Sequence, residues 1–478
     1  MLLAVAAGAC GAPLALPACG ARTGLPIPTA APCVVSSSAP GTVHACEGGT
    51  TSIRGTVYDP AGKNPLYNVV VYVPSSTPQP ITLGASCDSC NELYTGNPIA
   101  TALTDADGNF TLSGVPDGAD IPLVLQIGKW RRQLIVPSVV ACQENLQPDR
   151  SLTLPRNQGE GDIPNIAVST GAADTLECLF IRAGIDPAEY GGGPDGPGRI
   201  HIFAGNADGV QDAGPGGMFA GPDGGPPAPG SGGIHPVPNT SPPGPASFSA
   251  LWDSDADILR YDMVFLSCEG SETAKLNRQV LFDFAAAGGR VFASHFHYAW
   301  FDSAPFGQSD LAAWTPGANN IGDIDATIVT TLAGGQPFPQ GVALAHWLAS
   351  TGALVDGELP IAQARHNADV SAGDSLSQPW IVADPHASVP GATQYFSFNT
   401  PFGAAPADQC GQVVYTDAHV AAGVNDNVSL PVPAECADVA LSPQEKAIEF
   451  MLFNLSSCVT PPSQTPAPPP ACVPVKKE

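Results

Sequence analysis

Charge is scarce in this sequence. Only 13% of the 478 residues are Asp, Glu, Lys or Arg, against about a quarter in ordinary soluble domains. Bases are scarcer still: 18 Lys and Arg face 44 Asp and Glu, for a formal net charge of -26. A chain so short of cations repels phosphate backbones and anionic lipid surfaces, so nucleic acid is excluded as an expected partner. No internal run is long and apolar enough to cross a bilayer as a helix. No glycine motif of the P-loop or dinucleotide type follows a strand and opens a helix, so no phosphate cradle is expected. A Gly-x-Ser-x-Gly elbow is also missing, which disfavours a serine hydrolase of that kind.

What is present sets the outline. Hydrophobic residues make up 44% of the chain, enough for real cores. Its length exceeds what one core usually holds, so two or three domains are expected. The 52 glycines and 51 prolines cluster, which marks part of the chain as linker. Thirteen cysteines point to an oxidising compartment. Several of them sit in polar, loop-like sequence: Cys33, Cys46, Cys87, Cys90, Cys410, Cys436 and Cys472.

Met1 to Ala18 contains no charged residue, is rich in Leu, Ala and Val, and is broken by Gly11 and Pro13. It resembles a secretion segment, so residues 1–18 are expected to be a signal peptide. Leu16-Pro17-Ala18-Cys19 resembles a lipobox, with Ala7-Gly8-Ala9-Cys10 as a second candidate. That resemblance implies lipidation at Cys19 (or Cys10) and a bacterial lipoprotein. Its place would be the outer membrane, on the periplasmic face or the cell surface. No Lys or Arg precedes the apolar run, which departs from the pattern, and a plain secretory signal is the other reading. If Cys10 leaves with the signal and Cys19 carries lipid, 13 − 2 = 11 cysteines remain. An odd number leaves a thiol unpaired, and Cys268 is the expected one.

Residues 19–49 are Pro, Thr, Ser, Ala and Gly with little apolar pattern, and read as a flexible tether. Residues 50–157 read as an all-β sandwich. Ser52 to Tyr58 alternates in strand fashion, Asp59-Pro60-Ala61-Gly62 is a turn, and Leu103 to Leu112 is a hairpin bent at Asp105-Ala106-Asp107-Gly108. Ile53-x-Gly55-x-Val57-x-Asp59-x-x-Gly62-x-x-Pro65-Leu66 opens one motif block. Thr104-Asp105-x-x-Gly108-x-Phe110-x-Leu112-x-x-Val115-Pro116-x-Gly118 forms a second. Together they resemble the carboxypeptidase regulatory-like domain. The resemblance implies a transthyretin-like or carbohydrate-binding-like sandwich, usually a non-catalytic spacer or binding module. An insert of about residues 75 to 100 separates the two blocks and carries Cys87-Asp88-Ser89-Cys90. With one C-x-x-C pair and an oxidising compartment, a Cys87–Cys90 disulfide clamp is expected rather than zinc or redox chemistry.

Residues 158–460 read as α/β. Apolar strands at Ile166–Ser169, Arg199–Ala204, Tyr261–Ser267 and Arg290–Ser294 alternate with helical periods, interrupted by a Gly/Pro-rich loop at 205–245. Ser442-Pro443-Gln444-Glu445 is a capping box that opens a last helix. Strands alternating with helices predict a flavodoxin-like parallel sheet. Residues 461–478 are a Pro-rich tail.

Ligands bind beyond the carboxyl ends of such strands. There the sequence places Cys268-Glu269, His295-Phe296-His297 and Asp417-Ala418-His419. Tyr261-Asp262-x-Val264-x-Leu266, then Ala287-Gly288-Gly289-Arg290-Val291-x-x-x-His295, then Gly411-x-Val413-Val414-Tyr415-Thr416 resemble the class I glutamine amidotransferase-like fold, in its ThuA-like branch. Those enzymes carry a nucleophilic Cys where this chain has His295, so their thiol chemistry is not implied. His295, His297, Asp417 and His419 are candidate ligands for zinc or iron, because a His-x-His pair on an extended segment puts both rings on one face. Glu269 is the candidate general base for a metal-bound water. The other readings of the same residues are a polar groove without chemistry and a purely structural role. The sequence therefore describes an exported, lipid-anchored envelope protein that binds or scaffolds glycan or protein without catalysis and with no assured cofactor. The alternative is a metal-dependent hydrolase.

Overall fold

The computed structural model describes residues 32–33, 41–87, 90–171, 173–205, 246–247, 249–270, 272, 277–308, 310–371, 376–419, 436 and 439–474. The expected signal peptide, both lipidation candidates Cys10 and Cys19, most of the tether and all but Gly205 of the Gly/Pro-rich loop lie outside those residues. No helix among the described residues is long and apolar enough to cross a membrane.

Two four-stranded sheets form the N-terminal sandwich. One holds β1 (Ser52–Tyr58) between an antiparallel partner and Glu144–Leu146. The other runs, in spatial order, β3 (Pro98–Leu103), β2 (Val70–Pro74), β5 (Gly118–Ile127) and β6 (Trp130–Val139). The antiparallel partner of β1 is β4 (Asn109–Ser113), which alternates exposed and buried with Phe110 and Leu112 inward. That period of two is what a half-buried strand requires. Because β3 pairs with β2 in the other sheet, the expected Leu103–Leu112 hairpin is corrected to a turn that passes from one sheet to the other. Asp105 closes the bend by accepting from the Asp107 and Asn109 amides at 3.0 and 2.9 Å. Gly108 has φ +72°, and a Cβ there would meet the Val57 carbonyl oxygen at 2.7 Å, so glycine is required.

The sheet of the α/β region has eleven strands. It contains β7 (Ile166–Ser169), β8 (Ile200–Ala204), β9 (Met263–Leu266), β10 (Arg290–Ser294) and β15 (Gly411–Thr416), all paired in parallel. It continues past β15 through β14 (Thr393–Thr400), β13 (Ser377–Ala383), β11 (Asn320–Ile328) and β12 (Leu359–Arg365), all antiparallel. The expected all-parallel sheet is therefore corrected to a mixed one. Burial explains the division. Strands β7, β9 and β15 are buried on both faces, which suits parallel strands covered by helices. By contrast, β11 alternates exposed and buried toward its end, which antiparallel sheets tolerate.

Four helices fall where the periodicity put them: α1 (Glu177–Arg182), α2 (Arg278–Ala286), α3 (Pro339–Ser350) and α4 (Pro443–Ser456). The Ser442 hydroxyl accepts from the Glu445 amide while the Glu445 carboxylate accepts from the Ser442 amide, so α4 begins on a complete capping box. Helix α4 joins the sandwich to the α/β region. Tyr67 stacks on Phe450 with centroids 5.8 Å apart, and Trp347 lies 5.7 Å from the same ring. The Trp347 indole donates to the Pro65 carbonyl at 2.6 Å, and the Trp130 indole to Ser456 Oγ at 3.2 Å. One continuous hydrophobic core runs through both regions.

The insert also belongs to this junction. The Ala85 amide donates to the Leu259 carbonyl at 2.9 Å, and Cys87 is bonded to Cys410, with Cα atoms 5.1 Å apart. The expected Cys87–Cys90 clamp is thus corrected. The insert lies along the α/β surface, where the start of β15 brings Cys410 to Cys87, while Cys90 opens a short helix, Cys90–Leu93. Disulfides Cys46–Cys142 and Cys178–Cys436 have Cα separations of 5.5 and 5.3 Å. Cys458 and Cys472 are disulfide-bonded as well. Cys268 is the free, buried thiol among the described cysteines, as the odd count predicted. These bonds are consistent with an oxidising, extracytoplasmic compartment.

Candidate metal centre

The carboxyl ends of β9, β10 and β15 lie side by side because those strands pair in register. Cys268, His295 and His419 follow them, and the sheet brings all three together. Cys268 Sγ lies 3.3 Å from His295 Nδ1, and His419 Nε2 lies 2.8 Å from the same nitrogen. The three donor atoms all fall within 4.8 Å of one another. The residues are 0%, 1% and 6% exposed, so the triangle is dry.

His295 holds its place at a cost. Its φ is +41°, a left-handed conformation that a non-glycine residue rarely adopts and that clusters at functional sites. The chain leaves β10 through this residue into a 3-10 helix, His295–Trp300. That helix also separates the predicted pair. At three residues per turn, positions i and i+2 point in different directions, whereas an extended segment would have aligned them. His297 turns away and its Nε2 bonds the Ser267 carbonyl oxygen at 2.8 Å.

Asp417 is occupied elsewhere. Its Oδ2 accepts from the Asn367 and Ala368 amides at 2.7 and 3.1 Å, and its Oδ1 lies 2.6 Å from the Tyr415 hydroxyl. Burial lifts its carboxyl to about 7. The predicted ligand set of His295, His297, Asp417 and His419 is therefore corrected to Cys268, His295 and His419. Glu269 is buried beside Cys268, at 2% exposure.

The electrostatics fit a soft or borderline cation. Burial lowers His419 to about 4, with Asp174 opposing that shift and Arg365 adding to it. Burial, His419 and Arg365 lower His295 well below the usual imidazole range. Both rings are thus neutral near pH 7, the form that ligates metals. Burial, and then the charge of Asp174, push the Cys268 thiol up, so without a cation it is no free nucleophile. A tetrahedral zinc has bonds of about 2.3 Å to sulfur and about 2.05 Å to nitrogen, which set N–S and N–N separations of about 3.5 and 3.3 Å. The separations of 3.3 and 2.8 Å lie within about half an ångström of those values. The donor set fits.

Three residues at the centre lie outside the expected ligand set. Cys268 stands at a strand end, but the sequence marks it only as the unpaired thiol. Asp174, 0% exposed, sits after β7 with no motif around it. Its Oδ2 accepts from the Cys268 amide at 3.1 Å and from the Ser294 hydroxyl. Arg365 reaches the centre through its charge on both rings.

No family model matches this sequence, and no curated protein does. Among solved structures, two interface mutants of a type II cohesin–X-dockerin complex from Acetivibrio cellulolyticus are similar at 15% and 16% identity, with TM-scores of 0.17 and 0.15. They cover 28% and 26% of this chain and 85% and 78% of theirs. A cold-adapted β-galactosidase from a Rahnella species is similar at 13% identity and a TM-score of 0.18, over 36% of this chain and 23% of its own. Likenesses at such scores leave the centre to be judged on its own chemistry.

Proposed function

We propose that this chain is an exported envelope protein whose α/β region is a mononuclear metal-dependent hydrolase. The observation that carries the reading is the convergence of Cys268 Sγ, His295 Nδ1 and His419 Nε2 at the ends of three neighbouring strands. A thiolate and two imidazoles suit zinc, while the diversion of Asp417 removes the carboxylate that a two-histidine iron site would need. Zinc held by Cys268, His295 and His419 would supply Lewis acidity and lower the pKa of a water for attack. The chain's own residues would hold the ion, exclude bulk water and accept a proton at Glu269, the candidate base. Lipid anchoring at Cys19 (or Cys10) at the outer membrane belongs to this reading and rests on the lipobox-like segment, with envelope glycan or protein as the substrate class.

The test is turnover on a panel of ester, amide and glycosidic substrates. Activity should disappear on chelation and return with zinc. It should also disappear in Glu269→Gln, which should keep its metal. Activity that survives complete metal removal would sink the reading.

One observation favours the second reading, binding without chemistry. A groove of about 580 Å³ is lined by Asp323, Asp325, Asp384, His386, Ser388 and Gln444 among others, and by none of the three donors. A glycan seated there with no turnover would fit a binding module.

A further inference from the structure

Metal ligands are held by outer partners as much as by their own strands. The Asp174 side chain bonds the segments that carry two of the three donors. Asp174 is fully buried, and its Oδ2 accepts from the backbone amide of Cys268 at 3.1 Å. The same oxygen accepts from the Ser294 hydroxyl, one residue before His295. The strand ends of β9 and β10 are thereby tied through a single carboxylate. The loop bearing it grips Cys268 from the other side too, because the Ala173 amide donates to the Cys268 carbonyl at 3.0 Å. Gly171 packs so closely there that a Cβ would meet that carbonyl oxygen at 2.0 Å.

We propose that Asp174 is the positioning residue of the centre: it fixes Cys268 and His295 at ligating distance and places a fixed negative charge beside the cation. This rests on the metal-centre reading. The geometry gives two separate functions for the carboxylate. Its hydrogen bonds orient the ligand-bearing backbone before any ion arrives, which reduces the ordering needed on binding. Its charge favours a dication at the donors. A residue with only a packing role would supply the first and not the second.

Asp174→Asn separates the two, because the amide keeps the size and one acceptor oxygen but loses the charge. The experiment measures zinc affinity by competition with a chromophoric chelator, together with the melting temperature with and without zinc, for the parent, Asp174→Asn, Ser294→Ala and Cys268→Ser. Zinc affinity should fall about 10- to 100-fold in Asp174→Asn, the range for outer partners of metal ligands. The zinc-induced rise in melting temperature should shrink with it. Ser294→Ala removes one bond and keeps the charge, so its affinity should lie between those of Asp174→Asn and the parent. If Asp174→Asn fails to fold, Ser294→Ala carries the test, and parent-like affinity in it overturns the proposal. Asp174→Asn that lowers the melting temperature equally with and without zinc, at parent affinity, also overturns it and leaves Asp174 structural. A parent that binds no zinc, or binds as well after Cys268→Ser, refutes the metal-centre reading itself.

Discussion

The junction between the sandwich and the α/β region treats buried polar groups differently from the strand-end centre. At the junction they are matched. Lys129 Nζ meets Asp262 Oδ1 at 2.7 Å, with the two side chains 12% and 5% exposed. Asp59 and Glu449, both buried, share a hydrogen bond, and Asn64 donates to Glu449 at 2.7 Å. At the centre, two neutral imidazoles and a thiol face one another instead. Each is a donor for a cation, and burying them together brings no ion pair. Matched groups are what a stable interface needs. Convergent sulfur and imidazole donors serve a metal well.

If that contrast is right, mutations should divide by kind of loss. The largest effect should come from the donors: His295→Ala, His419→Ala or Cys268→Ser should weaken zinc beyond the about 10- to 100-fold typical of outer partners. Each should leave the apoprotein folded, as read by metal analysis beside circular dichroism. Lys129→Met belongs to the other class. It leaves the Asp262 carboxylate buried without its cation and should cost about 3–5 kcal/mol of stability, read by denaturant unfolding, with zinc affinity unchanged. Removing the Cys87–Cys410 bond as a double Ala variant should cost about 2–4 kcal/mol, again with no change at the centre.

The smallest expected effect is a slope with pH. Burial, and then the charge of Asp59, raise Glu449 well above its ordinary value of 4.5. The folded protein therefore holds a proton that the unfolded chain releases, and the stability it contributes is lost as pH rises from about 4.5 through the raised value. Glu449→Gln should flatten that part of the stability–pH curve. An unchanged slope would place the titration elsewhere.

Much of the architecture was legible, and the misses have physical causes. Period-two burial at Asn109–Ser113 and the Ser442 capping box are local signals, and the strand and the helix both formed. The hairpin read at Leu103–Leu112 did not, because the pairing partners of its two arms are set by distant strands. Strands Asn320–Ile328, Leu359–Arg365 and Ser377–Ala383 went unread, because irregular register and bulges break their alternation. Cys87 was paired by nearness in sequence, while its partner lies 323 residues away. His295 and His419 were read from strand ends, which the parallel register aligns. His297 was lost to a 3-10 turn that the residues His295-Phe296-His297 do not announce. Asp174 carries no local pattern, since its importance comes from two neighbouring strands.

Cobalt(II) titration of the purified protein tests the central claim most directly. One equivalent should bind, with tetrahedral d–d bands and a thiolate-to-cobalt charge-transfer band that vanishes in Cys268→Ser. Cobalt bound without the charge-transfer band, or no stoichiometric binding at all, would contradict it.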